Sequence, residues 1–253
     1  MLDKKKFNFG AIVTVRSLSN RLEKKCYQKI FEDISLIEAV INRAKKINAK
    51  VIVATSEETS DDKIEKIALD KKVTIFRGSL QNKIHRWYSC FEKYKLDYAM
   101  LIDADDPTFC FSLMNEALDK LSKNEAEIIS SSKNLLPGLI TYGISKQGIE
   151  KLYLTAKDYS TNTDVIDVFL KRANLKFAKI DPSNREEYFD NIRLTIDYPE
   201  DLNFYRQVYK GISYLETSSK IIKFIKDNNL AKINWFRNND FKENQKNFNE
   251  KVI

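Results

Sequence analysis

Histidine is nearly missing from this chain: His85 is the only one in 253 residues. Ser-His-Asp chemistry could therefore rest on that residue alone, and no nucleophile motif surrounds it. Cysteine is scarce too. Cys26, Cys90 and Cys110 are odd in number and lack C-x-x-C spacing, which argues against a disulfide framework and against structural zinc. No apolar stretch approaches the ~18 residues of a membrane span, and no apolar run follows Lys4-Lys5-Lys6 as a secretory leader requires. A cytoplasmic protein with no membrane partner is expected. Blocks of like charge are also absent. The formal net charge is +7, but its basic residues are dispersed through "LEKKCYQK", "RAKK" and "DKK" on polar faces. Nucleic acid is not expected as a partner; the polyanion such a balance leaves open is a small one, such as a nucleotide.

What is present is a regular alternation of short apolar runs with amphipathic segments. "GAIVTV", "KVIVATS", "VTIFRG" and "YAMLIDADDP" read as strands. Between them, "LIEAVINRAKK", "DDKIEKIALDKK" and "KIHRWYSCFEKY" carry apolar residues at helical spacing. The expected fold is α/β, a single mostly parallel-sheet domain over residues 1–241. Regularity weakens over residues 135–190, read as a small insertion that shapes an acceptor site or a dimer contact. "NIRLTIDYPEDLNFYRQVY" returns to strand, turn and helix, with Asp197 ending the strand and Pro199 opening the helix. Residues 242–253 read as a polar tail. Ligands of such sheets bind at the carboxyl ends of the strands. Arg16–Lys25, Ser56–Asp62 and Asp103–Asp106 should therefore share one crevice.

Two features of that crevice carry chemistry. Asp103-Ala104-Asp105 places two carboxylates on one side of an extended chain, with Asp106 beside them. Solvated turn carboxylates would look the same, and so would the motif by which many nucleotide-sugar glycosyltransferases hold manganese. The scarcity of His and Cys ligands favours a hard cation on oxygen donors, magnesium or manganese. The loop "VTVRSLSNRLEKK" sets Arg16, Ser17, Ser19, Arg21, Lys24 and Lys25 directly after an apolar strand, a concentration of donors that suits a triphosphate.

This loop resembles the "ARxGSxRLPGK" signature of the cytidylyltransferases that activate acidic sugars. These include the acylneuraminate and 3-deoxy-manno-octulosonate enzymes and, most closely, the spore-coat-polysaccharide F-type group. The likeness continues in order through "VIVATSEETSDDKIEKIA", "VTIFRGSLQNKIHRWY", "DADDPTF", "IRLTIDYPEDLNFYRQVY" and "NLAKIN". The resemblance implies a glycosyltransferase-A-like, Rossmann-like nucleotidyltransferase fold, a homodimer, and transfer of CMP from CTP to a small anionic acceptor for surface polysaccharide. It implies Mg2+ (Mn2+ possible) on Asp105 and Asp197, and Arg16, Arg21 and Lys25 as the catalytic cations. It also implies a nucleotide site built from Val15, Arg16, Ser17, Ser19, Arg21, Lys25, Thr55, Ser56, Arg77, Gly78, Ser79 and Asp103.

The chain departs from the pattern in two places. The two loop glycines of the signature are Leu18 and Lys24 here, and its proline is Glu23. The acidic and histidine residues that relatives carry in the acceptor region are missing, with Tyr142, Thr163 and Asp164 in their approximate places. An unusual acceptor is therefore expected: an acidic sugar, or a small phosphate or phosphonate compound. Two other readings stay open, a glycosyltransferase acting through Asp103-Ala104-Asp105 and a nucleotide-binding relative without turnover.

Overall fold

The computed structural model describes residues 7–18, 22–238 and 240. The apolar run Phe9–Thr14 forms β1. A short hairpin of β2 (Lys29–Phe31) and β3 (Ile34–Ser35) follows. It leads into α1 (Leu36–Ala44), whose first turn is closed by Ser35 donating to the Glu38 carboxylate from its backbone N at 2.9 Å and its Oγ at 2.7 Å. Then β4 (Lys50–Ser56), α2 (Asp62–Asp70), β5 (Thr74–Gly78), α3 (Lys83–Tyr94) and β6 (Tyr98–Asp103) alternate as their patterns predict. The second half adds α4 (Phe111–Ser122), β7 (Ile128–Ser131), β8 (Tyr142–Ser145), α5 (Lys146–Leu154), α6 (Ile166–Arg172), β9 (Phe177–Ile180), α7 (Pro199–Gly211) and α8 (Ser218–Asp227).

Seven strands form one sheet in the order β5-β4-β1-β6-β8-β7-β9. Only β8 runs against its neighbours in this sheet, pairing antiparallel with both β6 and β7. The alternation of side chains sorts the core into two layers. Ala11, Val13, Met100 and Ile102 pack under α1, α2, α4, α7 and α8, while Ile12, Ile52, Ala54 and Leu101 pack under α3, α5 and α6. Among the described residues, no helix is long and apolar enough to cross a membrane.

The stretch 135–190 contributes β8 and β9 to this sheet. The strand expected to end at Asp197 does not form. Residues 191–198 run without a ladder, held by single bonds such as Ile196 N to the Asp105 carbonyl at 2.8 Å and Tyr205 Oη to the Leu194 carbonyl at 2.7 Å. The apolar alternation of "IRLTI" serves here to bury Ile192, Leu194 and Ile196 rather than to pair a sheet edge. Pro199 does open α7. The 242–253 tail lies outside the described residues.

Where α5 crosses β7, the fold depends on a missing side chain. A Cβ on Gly148 would lie 2.6 Å from the Glu127 carbonyl oxygen, a backbone atom that cannot swing aside. Gly148→Ala should lose about 2–3 kcal/mol to overpacking and recover about 1 kcal/mol of helix propensity. A net loss of about 1–2 kcal/mol is the expected outcome, read as a lower urea midpoint at unchanged slope.

Candidate active site

The end of β6 gathers the carboxylates. The strand stops at Asp103 and the chain turns at once, with Ala104 N bonded to the Thr14 carbonyl at 3.2 Å and Asp106 N to the Asp103 carbonyl at 3.2 Å. This turn, rather than strand alternation, brings oxygens of Asp103, Asp105 and Asp106 within 4.8 Å of one another. Burial raises the Asp103 and Asp106 carboxyls, Asp106 well above the usual range, and the neighbouring carboxylates add to it. Lys83 works in the opposite direction on Asp103. Its ammonium lies 5.6 Å from the Trp87 ring, and Trp87 Nε1 donates to Thr14 Oγ1 at 2.8 Å, next to Asp103 in strand register. Sequence reasoning gave Lys83 no role; a lysine in the first turn of an amphipathic helix carries no signal of what it faces.

The second carboxylate arrives from far along the chain. Lys25 Nζ donates to Asp105 Oδ2 at 2.7 Å and lies 3.6 Å from Asp197 Oδ1, so one ammonium joins the two expected metal ligands. Asp197 is fixed from behind by a buried network. Arg193 Nη2 donates to Asp197 Oδ2 at 2.6 Å and its Nε to Asp201 Oδ1 at 2.9 Å. Asp201 also accepts from the backbone N of Asp197 at 2.8 Å, from that of Tyr198 at 2.9 Å, and from Asn234 Nδ2 at 2.9 Å. Arg193, Asp197, Asp201 and Asn234 are all buried. Arg193 and Asp201 escaped the sequence reading, although both lie inside the segment that carried the resemblance.

On the other side of β1, Asp61 is a hub. It accepts from Ser17 N at 2.8 Å, Thr55 Oγ1 at 2.8 Å, Ser56 N at 3.1 Å and Ser56 Oγ at 2.5 Å. The fully buried Thr55 and Ser56 hydroxyls thus tie β4 to the loop after β1 through this carboxylate. Burial acts to raise the Asp61 carboxyl, but the donors of Ser17, Ser56 and Thr55 outweigh it and hold the pKa below the ordinary value. A depressed folded-state pKa stabilises above the unfolded value of about 3.9, and that stability is lost as pH falls through the folded value. Asp61→Asn turns an amide toward these donors and should cost about 2–3 kcal/mol at pH 7. Urea unfolding should show the gap to wild type narrowing as pH drops below about 4.

The remaining expected residues divide by what they touch. Arg16 Nη2 meets the Asp164 carboxylate at 3.1 Å, and both side chains are half-exposed at the crevice. Val15 N donates to the Ala54 carbonyl at 3.2 Å, continuing the β1–β4 pairing past the strand. Arg77 makes contacts that fold the loop after β4: Nε to the Ser56 carbonyl at 2.9 Å, Nη2 to the Glu58 carbonyl at 2.7 Å, and Nη1 to Asp62 and Glu65 at 2.7 Å each. Gly78 ends β5 with its carbonyl accepting from Glu57 N at 3.0 Å. Ser79 Oγ donates to the Tyr159 carbonyl at 2.6 Å and accepts from Asn82 N at 2.9 Å. Thr163 is fully buried and its Oγ1 accepts from Lys83 N at 2.8 Å, so it closes the start of α3. Tyr142 Oη donates to Asp167 at 3.3 Å. Ser19 and Arg21 lie outside the described residues. The structure therefore unites Asp103, Asp105, Asp197 and Lys25, places Arg16 at the rim, and sets the side chains of Thr55, Ser56, Arg77, Ser79 and Thr163 to holding loops.

This arrangement can neutralise and orient a multiply charged ligand above the strand ends, with carboxylates at its centre and cations around them. A cavity of about 420 Å3 opens beside Asp106 at the same end of the sheet. The chain is 28% identical over 223 residues to an uncharacterised protein of Methanocaldococcus jannaschii, covering 86% of this chain and 90% of that protein. Its fold is similar to a cytidylyltransferase from Leptospira borgpetersenii, with a TM-score of 0.79 at 23% identity over 89% of this chain and 97% of that one. It is also similar to a CMP:2-keto-3-deoxy-manno-octonic acid synthetase solved with CTP, with a TM-score of 0.60 at 12% identity over 81% and 99% of the two chains. The model of the cytidylyltransferase family matches residues 10–250, and the chain is a member of that family of nucleotidyltransferases.

Proposed function

We propose that this protein transfers CMP from CTP to a small anionic acceptor and releases pyrophosphate, in service of surface polysaccharide or glycan modification. The observation that carries the reading is the Lys25 ammonium shared between Asp105 and Asp197. Two carboxylates from distant chain segments converge on one positive charge, and both offer oxygen donors. That donor set fits magnesium, with manganese as a substitute, since such ions take one or two carboxylates plus phosphate oxygens. Held by Asp105 and Asp197, the ion would supply charge neutralisation at the phosphates.

The chain's own groups do the rest. Lys25 moves from the carboxylates to the triphosphate, and Arg16 exchanges Asp164 for a phosphate oxygen. Arg21 and Ser19 complete the loop's donor set by their place in the motif. An acceptor oxygen attacks the α-phosphorus, the bond to the bridging oxygen breaks, and the leaving pyrophosphate is stabilised by these cations. Ser17, held by its backbone to Asp61, and the frame made by Val15, Thr55, Ser56, Arg77, Gly78 and Ser79 shape the base and ribose side. Asp103 sits behind the metal ligands, balanced by Lys83. A homodimer is the proposed assembly, and sedimentation measures it.

The direct test uses CTP labelled at the α-phosphorus with a panel of small hydroxylated acids and phosphates. Label should pass into a CMP conjugate in step with pyrophosphate release. Transfer of a sugar from a nucleotide sugar, with CTP inert, would replace this reading by the glycosyltransferase one.

A further inference from the structure

A strap of chain between α5 and α6 ties together the three loops that surround the proposed nucleotide site. Asn82 Nδ2 donates to the carbonyls of Ala156 and Asp158 at 2.7 Å each, and Ser79 Oγ donates to that of Tyr159 at 2.6 Å. These bonds pin the strap to the loop after β5. Tyr159 Oη reaches the loop after β4, donating to Glu57 Oε2 at 2.8 Å. Thr163 closes the strap onto the start of α3, its N donating to the Gln81 carbonyl at 3.2 Å and its Oγ1 accepting from Lys83 N at 2.8 Å. The next residue is Asp164, whose carboxylate accepts from Arg16 Nη2, in the loop after β1, at 3.1 Å.

We infer that Asp164 is a built-in competitor of the nucleotide's phosphates for Arg16, so that the strap sets how tightly the site holds a polyphosphate. The inference rests on the proposed nucleotide site and goes beyond it in giving Asp164 a role there rather than with the acceptor. A carboxylate and a phosphate oxygen make the same kind of charge-assisted bond to a guanidinium, so an Arg16 donor engaged by Asp164 is withdrawn from a phosphate. The chain delivers Asp164 to this contact. Thr163 beside it is fully buried and bonded on both sides, and Asp164 N itself donates to Asn162 Oδ1 at 2.9 Å. A free phosphate gives up translational freedom on meeting Arg16, whereas the tethered carboxylate does not. The phosphate's advantage is charge. Buried Arg86 lies close by, its Nη1 donating to the carbonyls of Ser79 and Leu80. Burial and the like charge of Arg16 press its guanidinium down to about 10, and Asp61 and Asp164 act against them. Asp61 already accepts from Ser17, Thr55 and Ser56, so Asp164 answers both arginines with a single charge. A triphosphate carries more charge than one carboxylate and takes Arg16. Once pyrophosphate leaves, a single phosphate remains and Asp164 recovers the guanidinium. The contact that weakens nucleotide binding therefore speeds product release.

The test is a double-mutant cycle read by calorimetric titration of tripolyphosphate with magnesium, an inorganic probe that carries no base. Wild type, Arg16→Gln, Asp164→Asn and the double variant are titrated in parallel. The Arg16 and Asp164 side chains are 38% and 39% exposed, so these changes should leave folding intact. Arg16→Gln should weaken binding, and Asp164→Asn should strengthen it about two- to fivefold, the range of an exposed ion pair. In the Arg16→Gln background Asp164→Asn should change nothing, because the competitor has lost what it competes for. A gain of the same size in both backgrounds would make Asp164 a merely repulsive charge and overturn the inference. So would unchanged or weaker binding by Asp164→Asn, binding by Arg16→Gln equal to that of wild type, or no binding to wild type at millimolar concentration. CTP is titrated alongside. Coupling seen with tripolyphosphate but no binding of CTP would keep the inference and remove the cytidylyl reading; CTP binding and CMP transfer with an additive cycle would do the reverse.

Discussion

Asp105→Asn should abolish turnover while leaving the fold intact. Asp105 is part-exposed at a turn and pairs with the Lys25 ammonium at 2.7 Å, so an amide fits the same space. What changes is the charge available to a triphosphate-bound cation. Metal-dependent charge stabilisation supplies several kcal/mol at the transition state, and losing about 3–4 kcal/mol corresponds to a fall of about 10²–10³ in kcat. Far-ultraviolet circular dichroism and the thermal midpoint should match wild type within about 0.5 kcal/mol of stability, as for surface substitutions. A variant that retains more than about a tenth of wild-type kcat would place the metal elsewhere, and Asp103 or Asp106 would be the groups to examine next.

Asp201→Ala should have the largest effect on stability of any single change in the site. Asp201 is fully buried and takes four donors, among them the Arg193 guanidinium. Its removal leaves two backbone N–H groups and an Asn234 amide donor short of an acceptor, with a buried cation short of charge. Breaking one side of a buried pair costs about 3–5 kcal/mol. At roughly 2–4 °C per kcal/mol for a chain of this size, the midpoint should fall by about 6–20 °C. Asp201→Asn keeps the shape and part of the bonding, so its loss should be smaller than that of alanine. Because Asp201 accepts from the Asp197 backbone, activity measured well below the midpoint should also fall. If alanine costs less than about 1 kcal/mol, the network does not anchor the late segment.

The frame of the site was legible because its elements are local. The apolar runs of β1, β4, β5 and β6 end where the polar chemistry begins, and the parallel alternation puts those ends together. Asp105 and Asp197 meet at Lys25. What was not legible depends on partners distant in sequence. Nothing local marks Thr163 as the closing hydroxyl of α3, or directs Arg77 into the loop after β4 instead of the crevice. Residues 191–198 alternate like a strand but meet no free edge, because β8 already occupies the position beside β6. The cavity beside Asp106 was the least readable feature: it is assembled from β7, β8, β9 and α6, and that juxtaposition emerges only once the register of those strands is known.

The measurement that bears most directly on the central claim is a calorimetric titration of CTP, UTP, ATP, GTP and a UDP-sugar, each with and without magnesium. Wild type and Asp105→Asn are titrated side by side. CTP should bind wild type selectively and only with magnesium, and the variant should lose that dependence together with most of the affinity. Tight binding of the UDP-sugar with none of CTP, or CTP binding that magnesium does not change, would contradict the account.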